Sequence, residues 1–113
     1  LEEYQEEYFM DTYPNEYMLY SLIVRPHKRR ELGAITHKDF SCRIQTVNDQ
    51  LHPEVTTLLQ KYNEKTGCPI LLNTSFNDNG QPIIETPKDA VDTFNNIDLD
   101  YLIINNFLIT KNK

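Results

Sequence analysis

Only two cysteines, Cys42 and Cys68, occur in the 113 residues. They allow one disulfide at most, whereas small secreted folds use several and metal sites cluster their thiols. Two reduced thiols in a cytoplasmic protein are therefore expected. Basic residues are also in short supply. Eleven Lys and Arg against seventeen Asp and Glu leave a net charge of −6, which argues against a chain that holds nucleic-acid backbones. Long apolar runs are missing as well. Met18 to Val24 and Tyr101 to Ile104 fall far below the ~20 residues that span a bilayer, so no membrane helix is expected. The acidic start, Leu1-Glu2-Glu3-Tyr4-Gln5-Glu6-Glu7, is unlike a secretory signal. The absent initiator Met suits a piece of a longer polypeptide or a processed chain. His27, His37 and His52 show no paired metal-ligand spacing.

What is there describes one ordinary globular domain, residues 1–113. Its hydrophobic fraction of 39% and charged fraction of 25% can build a packed core. Glu2 to Phe9 reads as a short helix, broken before Pro14. Tyr17 to Val24, rich in aromatic and branched residues, reads as a strand ending at the basic cluster Arg25-Pro26-His27-Lys28-Arg29-Arg30, which is expected to be a solvated loop. Ser41 to Val47 alternates, placing Arg43 and Gln45 on one face of a strand. Val55, Leu58, Leu59 and Tyr62 predict the buried face of a helix, with Pro53 in its first turn and Gly67 past its end.

Cys68 to Leu72 reads as a strand buried on both faces. Thr86-Pro87-Lys88-Asp89 opens another helix with Ala90, Val91 and Phe94 inside. Leu99 to Ile104 and Phe107 to Lys111 predict a hairpin turning at Asn105-Asn106. The expected fold class is α/β (α+β), a mixed twisted sheet with flanking helices.

The loop Asn73 to Gly80 offers hydroxyls, amides and backbone N–H groups. Ser75 and Asn77, two apart, can donate together to one phosphate or carboxylate, or can simply satisfy the turn's own backbone. The loop has no cation, so a Lys or Arg must come from elsewhere, and Arg43 is the best candidate. His37 and Asp39 can form an oriented acid–base pair or cap their loop. Ser75 lacks the glycine-flanked elbow of a serine nucleophile.

Three stretches, Thr36-His37-Lys38-Asp39-Phe40-Ser41-Cys42-Arg43-Ile44-Gln45-Thr46-Val47, Thr66-Gly67-Cys68-Pro69-Ile70-Leu71-Leu72-Asn73-Thr74-Ser75-Phe76-Asn77 and Gln81-Pro82-Ile83-Ile84-Glu85-Thr86-Pro87-Lys88-Asp89-Ala90, together resemble the C-terminal domain of O-carbamoyltransferases of the nodulation and antibiotic-tailoring type. That resemblance implies a YrdC-like fold, present here as a partial domain. It implies an enzyme that turns carbamoyl phosphate and ATP into carbamoyl adenylate and pyrophosphate. A metal-carrying, Kae1-like N-terminal domain of the same polypeptide would then transfer the carbamoyl group to a substrate hydroxyl. It also implies that Ser75, Asn77 and Arg43 bind phosphate oxygens, with His37 fourth, and that the 113-residue piece alone is inactive. Phe40 departs from the family pattern, standing where Gly is usual. The family's basic segment, whose place is just before Leu1, is absent from this sequence. A non-catalytic binding or assembly module reusing the fold is the alternative reading. A relative that makes threonylcarbamoyl adenylate or matures hydrogenase is a third.

Overall fold

A computed structural model describes residues 1–111, which fall into two units, Leu1–Leu72 and a second beginning at Asn73. In the first unit, a 3-10 turn at Glu2–Tyr4 runs into helix α1 (Gln5–Tyr8), matching the expected opening helix. Strands β1 (Ser21–Ile23) and β2 (Ser41–Arg43) pair antiparallel, with Leu22 opposite Cys42 and Ser21 opposite Arg43. Phe9 bridges to Val24 beside them. Tyr8, Phe9, Leu22, Val24, Leu32, Cys42 and Ile44 form the core cluster. Apolar area removed from water there, at about 25 cal/mol per Å2, is the main force holding this unit together.

β1 is shorter than the expected Tyr17 to Val24. The Oδ1 of buried Asn15 accepts the Leu19 and Tyr20 amides at 2.8 and 3.3 Å, and Met18 sits at φ 56°. Those amides serve a loop, so the ladder starts only at Ser21. β2 likewise stops at Arg43, although burial still alternates through Arg43 (exposed) and Ile44 (buried). At Thr46 the backbone turns to Asn15 instead, donating to its carbonyl at 3.1 Å.

Helix α2 (Pro53–Thr66) begins on Pro53 and ends at Gly67, whose φ of 75° requires a residue without a Cβ penalty. Its buried face differs from expectation. Thr56 and Leu59 are buried, while Val55, Leu58 and Tyr62 are exposed. Asn63, one turn beyond Leu59, donates to the Tyr4 hydroxyl at 3.1 Å, so the inward face is set by this anchor and not by the most apolar stripe. The run Cys68 to Leu72 is a further correction. Among the described residues it joins no strand, and Leu72 is 69% exposed. An apolar run becomes a buried strand only where a neighbour offers ladder partners, and none pairs with it here.

In the second unit, helix α3 (Pro87–Asn96) is capped by Thr86, whose Oγ1 accepts the Asp89 amide at 3.2 Å and donates to the Asp89 carboxylate at 2.5 Å. Ala90 and Phe94 form its buried side. Strands β3 (Tyr101–Ile104) and β4 (Phe107–Thr110) make the expected hairpin, with Asn105 at φ 52° in the turn. Lys111 donates to the Ile97 carbonyl and lies 5.2 Å from the Phe94 ring centroid. Helices with two small antiparallel sheets, β1–β2 and β3–β4, give the mixed α/β fold class, the strands being divided between two sheets instead of sharing one.

Candidate functional site

Ser75 and Asn77 are brought together in the second unit. The Ser75 hydroxyl donates to Asn77 Oδ1 at 2.6 Å. Asn77 Nδ2 donates to the Asp78 and Gln81 carbonyls at 3.1 and 3.0 Å, and the Gln81 amide donates to the Asp78 carbonyl at 2.9 Å. Asx-type bonding of this kind closes the turn that Gly80, at φ 79°, completes. Both side-chain donors are thus engaged within an exposed loop. An anion reaching this loop would exchange with those acceptors, at the small net cost that separates one solvated hydrogen bond from another.

Arg43 belongs to the first unit. It ends β2 opposite Ser21, on the exposed face of the ribbon and away from the buried Leu22–Cys42 pair. His37 opens the tight turn before β2. Its amide donates to the Ser41 carbonyl at 2.8 Å and its carbonyl accepts the Phe40 amide at 3.0 Å. Asp39 braces the same turn, since its Oδ1 accepts both the Ser41 hydroxyl (2.7 Å) and the Ser41 amide (3.0 Å). Those two bonds, the hydroxyl's first, hold the Asp39 carboxyl below its usual range. Asp39 therefore acts on Ser41, which is its capping role.

Phe40 holds a left-handed backbone, with φ 66°, the region that favours glycine. Its ring packs against Arg29, whose guanidinium carbon lies 3.7 Å from the ring centroid while Arg29 Nε donates to the Val24 carbonyl at 3.2 Å. The basic cluster is accordingly less solvated than its sequence implies. Arg25 Nε donates to the Glu6 carbonyl at 2.7 Å, and Lys28 Nζ meets Glu7 at 2.5 Å and Glu31 at 3.4 Å. Three of its basic side chains fasten the opening helix and the turn before β2.

Tyr8 completes this group, donating its hydroxyl to Glu31 at 3.0 Å beneath the Lys28 ammonium. Burial pushes the Tyr8 phenol up to about 12. The hydrogen bond with Glu7 raises Lys28 above its ordinary value. Burial works to raise the Glu31 carboxyl, but hydrogen bonds from Tyr8 and Lys28 outweigh it and hold Glu31 low. Cys42 and Cys68 are free thiols, both pushed up by burial.

Sequence reading missed a cleft of about 530 Å3 in the second unit, between residues 78–85 and one side of α3. Asp78, Glu85, Asp89 and Asp92 give it carboxylates that repel phosphate. The spacing of Asp89 and Asp92 on α3 is the one signal that could have shown it. Among the described residues no group of three or more His, Cys, Asp or Glu is placed to hold a metal ion, and no helix is long and apolar enough to cross a membrane.

Residues 1–111 match the family described as Carbamoyltransferase C-terminus. The nodulation protein NolNO of Sinorhizobium fredii is 43% identical over 95 residues, 84% of this chain and 14% of that protein. The nodulation protein NolO of Bradyrhizobium diazoefficiens is 40% identical over 114 residues, 98% of this chain and 21% of its own length. The 3'-hydroxymethylcephem-O-carbamoyltransferase of Amycolatopsis lactamdurans is 39% identical over 83 residues, 74% of this chain and 16% of that enzyme. The chain thus spans between 14% and 21% of these three relatives. A match over nearly every residue, with the polar bend at Ser75 and Asn77 and the left-handed turn before Arg43 inside it, shows that the chain belongs to the carbamoyltransferase C-terminus family.

Proposed function

We propose that this chain, within a complete ATP-dependent O-carbamoyltransferase, helps bind carbamoyl phosphate and ATP for the formation of carbamoyl adenylate, with inorganic phosphate released from carbamoyl phosphate and pyrophosphate from ATP. The observation that carries the reading is the Ser75 hydroxyl lying 2.6 Å from the Asn77 amide oxygen in an exposed loop. Ser75 Oγ and Asn77 Nδ2 supply neutral donors to phosphate oxygens. Arg43, solvent-facing on its strand, supplies the guanidinium that a phosphate requires, and His37 is the fourth contact. These donors steady the charge that builds up on the phosphate oxygens during adenylyl transfer.

The carbamoyl group then passes to a substrate hydroxyl in a metal-bearing N-terminal domain of the same polypeptide. The name of the cephem relative, whose acceptor is a hydroxymethyl group, supports a hydroxyl acceptor. Two free thiols support a cytoplasmic enzyme. In the complete enzyme, Ser75→Ala and Arg43→Ala are each expected to lower pyrophosphate release from ATP, in the presence of carbamoyl phosphate, by at least about a hundredfold. Release at the wild-type rate in both variants would overturn the assignment.

A further inference from the structure

Helix α2 divides into three faces. Thr56, Leu59 and Asn63 point to its own unit, and Thr57, Gln60 and Glu64 form a polar face. Between them runs an apolar stripe of Val55, Leu58 and Tyr62, with Leu51 one turn upstream, spaced at i, i+4, i+7 and i+11. Val55 is 46% exposed, Leu58 57% and Tyr62 38%. Such spacing is that of a helix edge which packs against a second element. Yet the helix turns this stripe outward and buries Thr56, whose hydroxyl finds no hydrogen-bond partner among the described residues. An unsatisfied buried hydroxyl is destabilising, and each half-exposed Leu or Val forgoes part of the free energy of burial. The Asn63–Tyr4 bond and buried Leu59 set which face of α2 turns inward, and the apolar stripe is left exposed as a result.

We infer that the Leu51–Val55–Leu58–Tyr62 stripe is a docking surface for the remainder of the same polypeptide, the part outside residues 1–113. The choice of occupant follows from length: this chain spans only 14% to 22% of its relatives, so most of the polypeptide lies outside it and is tethered at high effective concentration. The inference rests on the reading that the chain is one part of a larger carbamoyltransferase, but its test reads accessibility and not catalysis. Protection of the stripe in a protein without carbamoyl transfer would sink the proposed function alone. Free accessibility in an active enzyme would sink the docking surface alone.

The full-length protein is prepared as Leu58→Cys and, for the polar face of the same helix, as Gln60→Cys. Maleimide labelling at each position is followed by peptide mass spectrometry, which separates both from Cys42 and Cys68. Cys at 58 is expected to react at least about tenfold more slowly than Cys at 60 in a monomeric protein. Equal rates overturn the inference. So does protection that appears only as the protein dimerises with rising concentration, since a second copy is then the occupant. A benzophenone amino acid placed at Leu58 is expected to cross-link within the same chain to a peptide outside residues 1–113. Cross-links confined to residues 1–113 also overturn it.

Discussion

The Arg29 guanidinium lies 3.7 Å from the centroid of the Phe40 ring, and Phe40 holds a φ of 66° that a bulky side chain rarely adopts. The left-handed conformation costs roughly 1–2 kcal/mol. Because the ring is 47% exposed, the cation–π contact returns only about 0.5–1 kcal/mol. The Phe40→Gly variant relieves the strain but loses the contact and adds about 0.5–1 kcal/mol of unfolded-chain entropy, so its stability is expected to stay within about 1 kcal/mol of wild type. Phe40→Val keeps the strain and loses the contact, and is expected to be destabilised by about 1–2 kcal/mol. Chemical denaturation of the two variants side by side checks the ordering; Val equal to Gly would show that strain is not what Phe40 carries.

Tyr8 predicts a fall in stability at alkaline pH. Its phenol titrates near 10 in the unfolded chain and at about 12 when folded, so the stabilisation is complete below pH 10 and is lost as pH rises toward 12. Between those values the unfolded chain has released a proton that the folded one keeps, which favours unfolding with each added unit. Lys28, raised through Glu7, loses its share in the same direction. Thermal midpoints measured from pH 9 to 12 are expected to drop less steeply in Tyr8→Phe than in wild type, and parallel curves would disprove the role given to the phenol.

Thr56 predicts a stabilising substitution. Its hydroxyl is buried without a partner among the described residues, and Val has nearly the same shape and the same branching at Cβ. Thr56→Val is expected to raise unfolding stability by about 1 kcal/mol. A loss of that size would mean that the hydroxyl has a partner in the complete protein, which equilibrium unfolding of the variant would reveal.

The ends of the helices are legible in the sequence because their signals are local. Pro53 and Gly67 bound α2, Thr86 and Pro87 open α3, and Asn105 turns the hairpin. Alternation from Cys42 to Ile44 is present in the structure, with Arg43 on the exposed face, and of the two readings of Ser75 and Asn77 the hydrogen bonds display the one in which they satisfy their own turn. The inward face of α2 was not legible, since a stripe such as Val55, Leu58 and Tyr62 declares a need for cover without naming what supplies it. Cys68 to Leu72 differs for a related reason: an apolar run is a strand only beside a ladder, and among the described residues none pairs with it. The internal use of Arg25 and Arg29 was hidden because they bond to the carbonyls of Glu6 and Val24, which every residue type carries.

Asn15 joins two distant stretches, its amide and carbonyl bonded to Thr46 while its side chain accepts from Leu19 and Tyr20 and donates to the Tyr20 carbonyl. The bend between residues 16 and 19 is thereby stapled at its base and open at its crown, where Tyr17 and Leu19 face solvent. A tag or reporter peptide spliced into that crown would leave the staple intact, whereas one spliced between Arg43 and Thr46 would pull it apart.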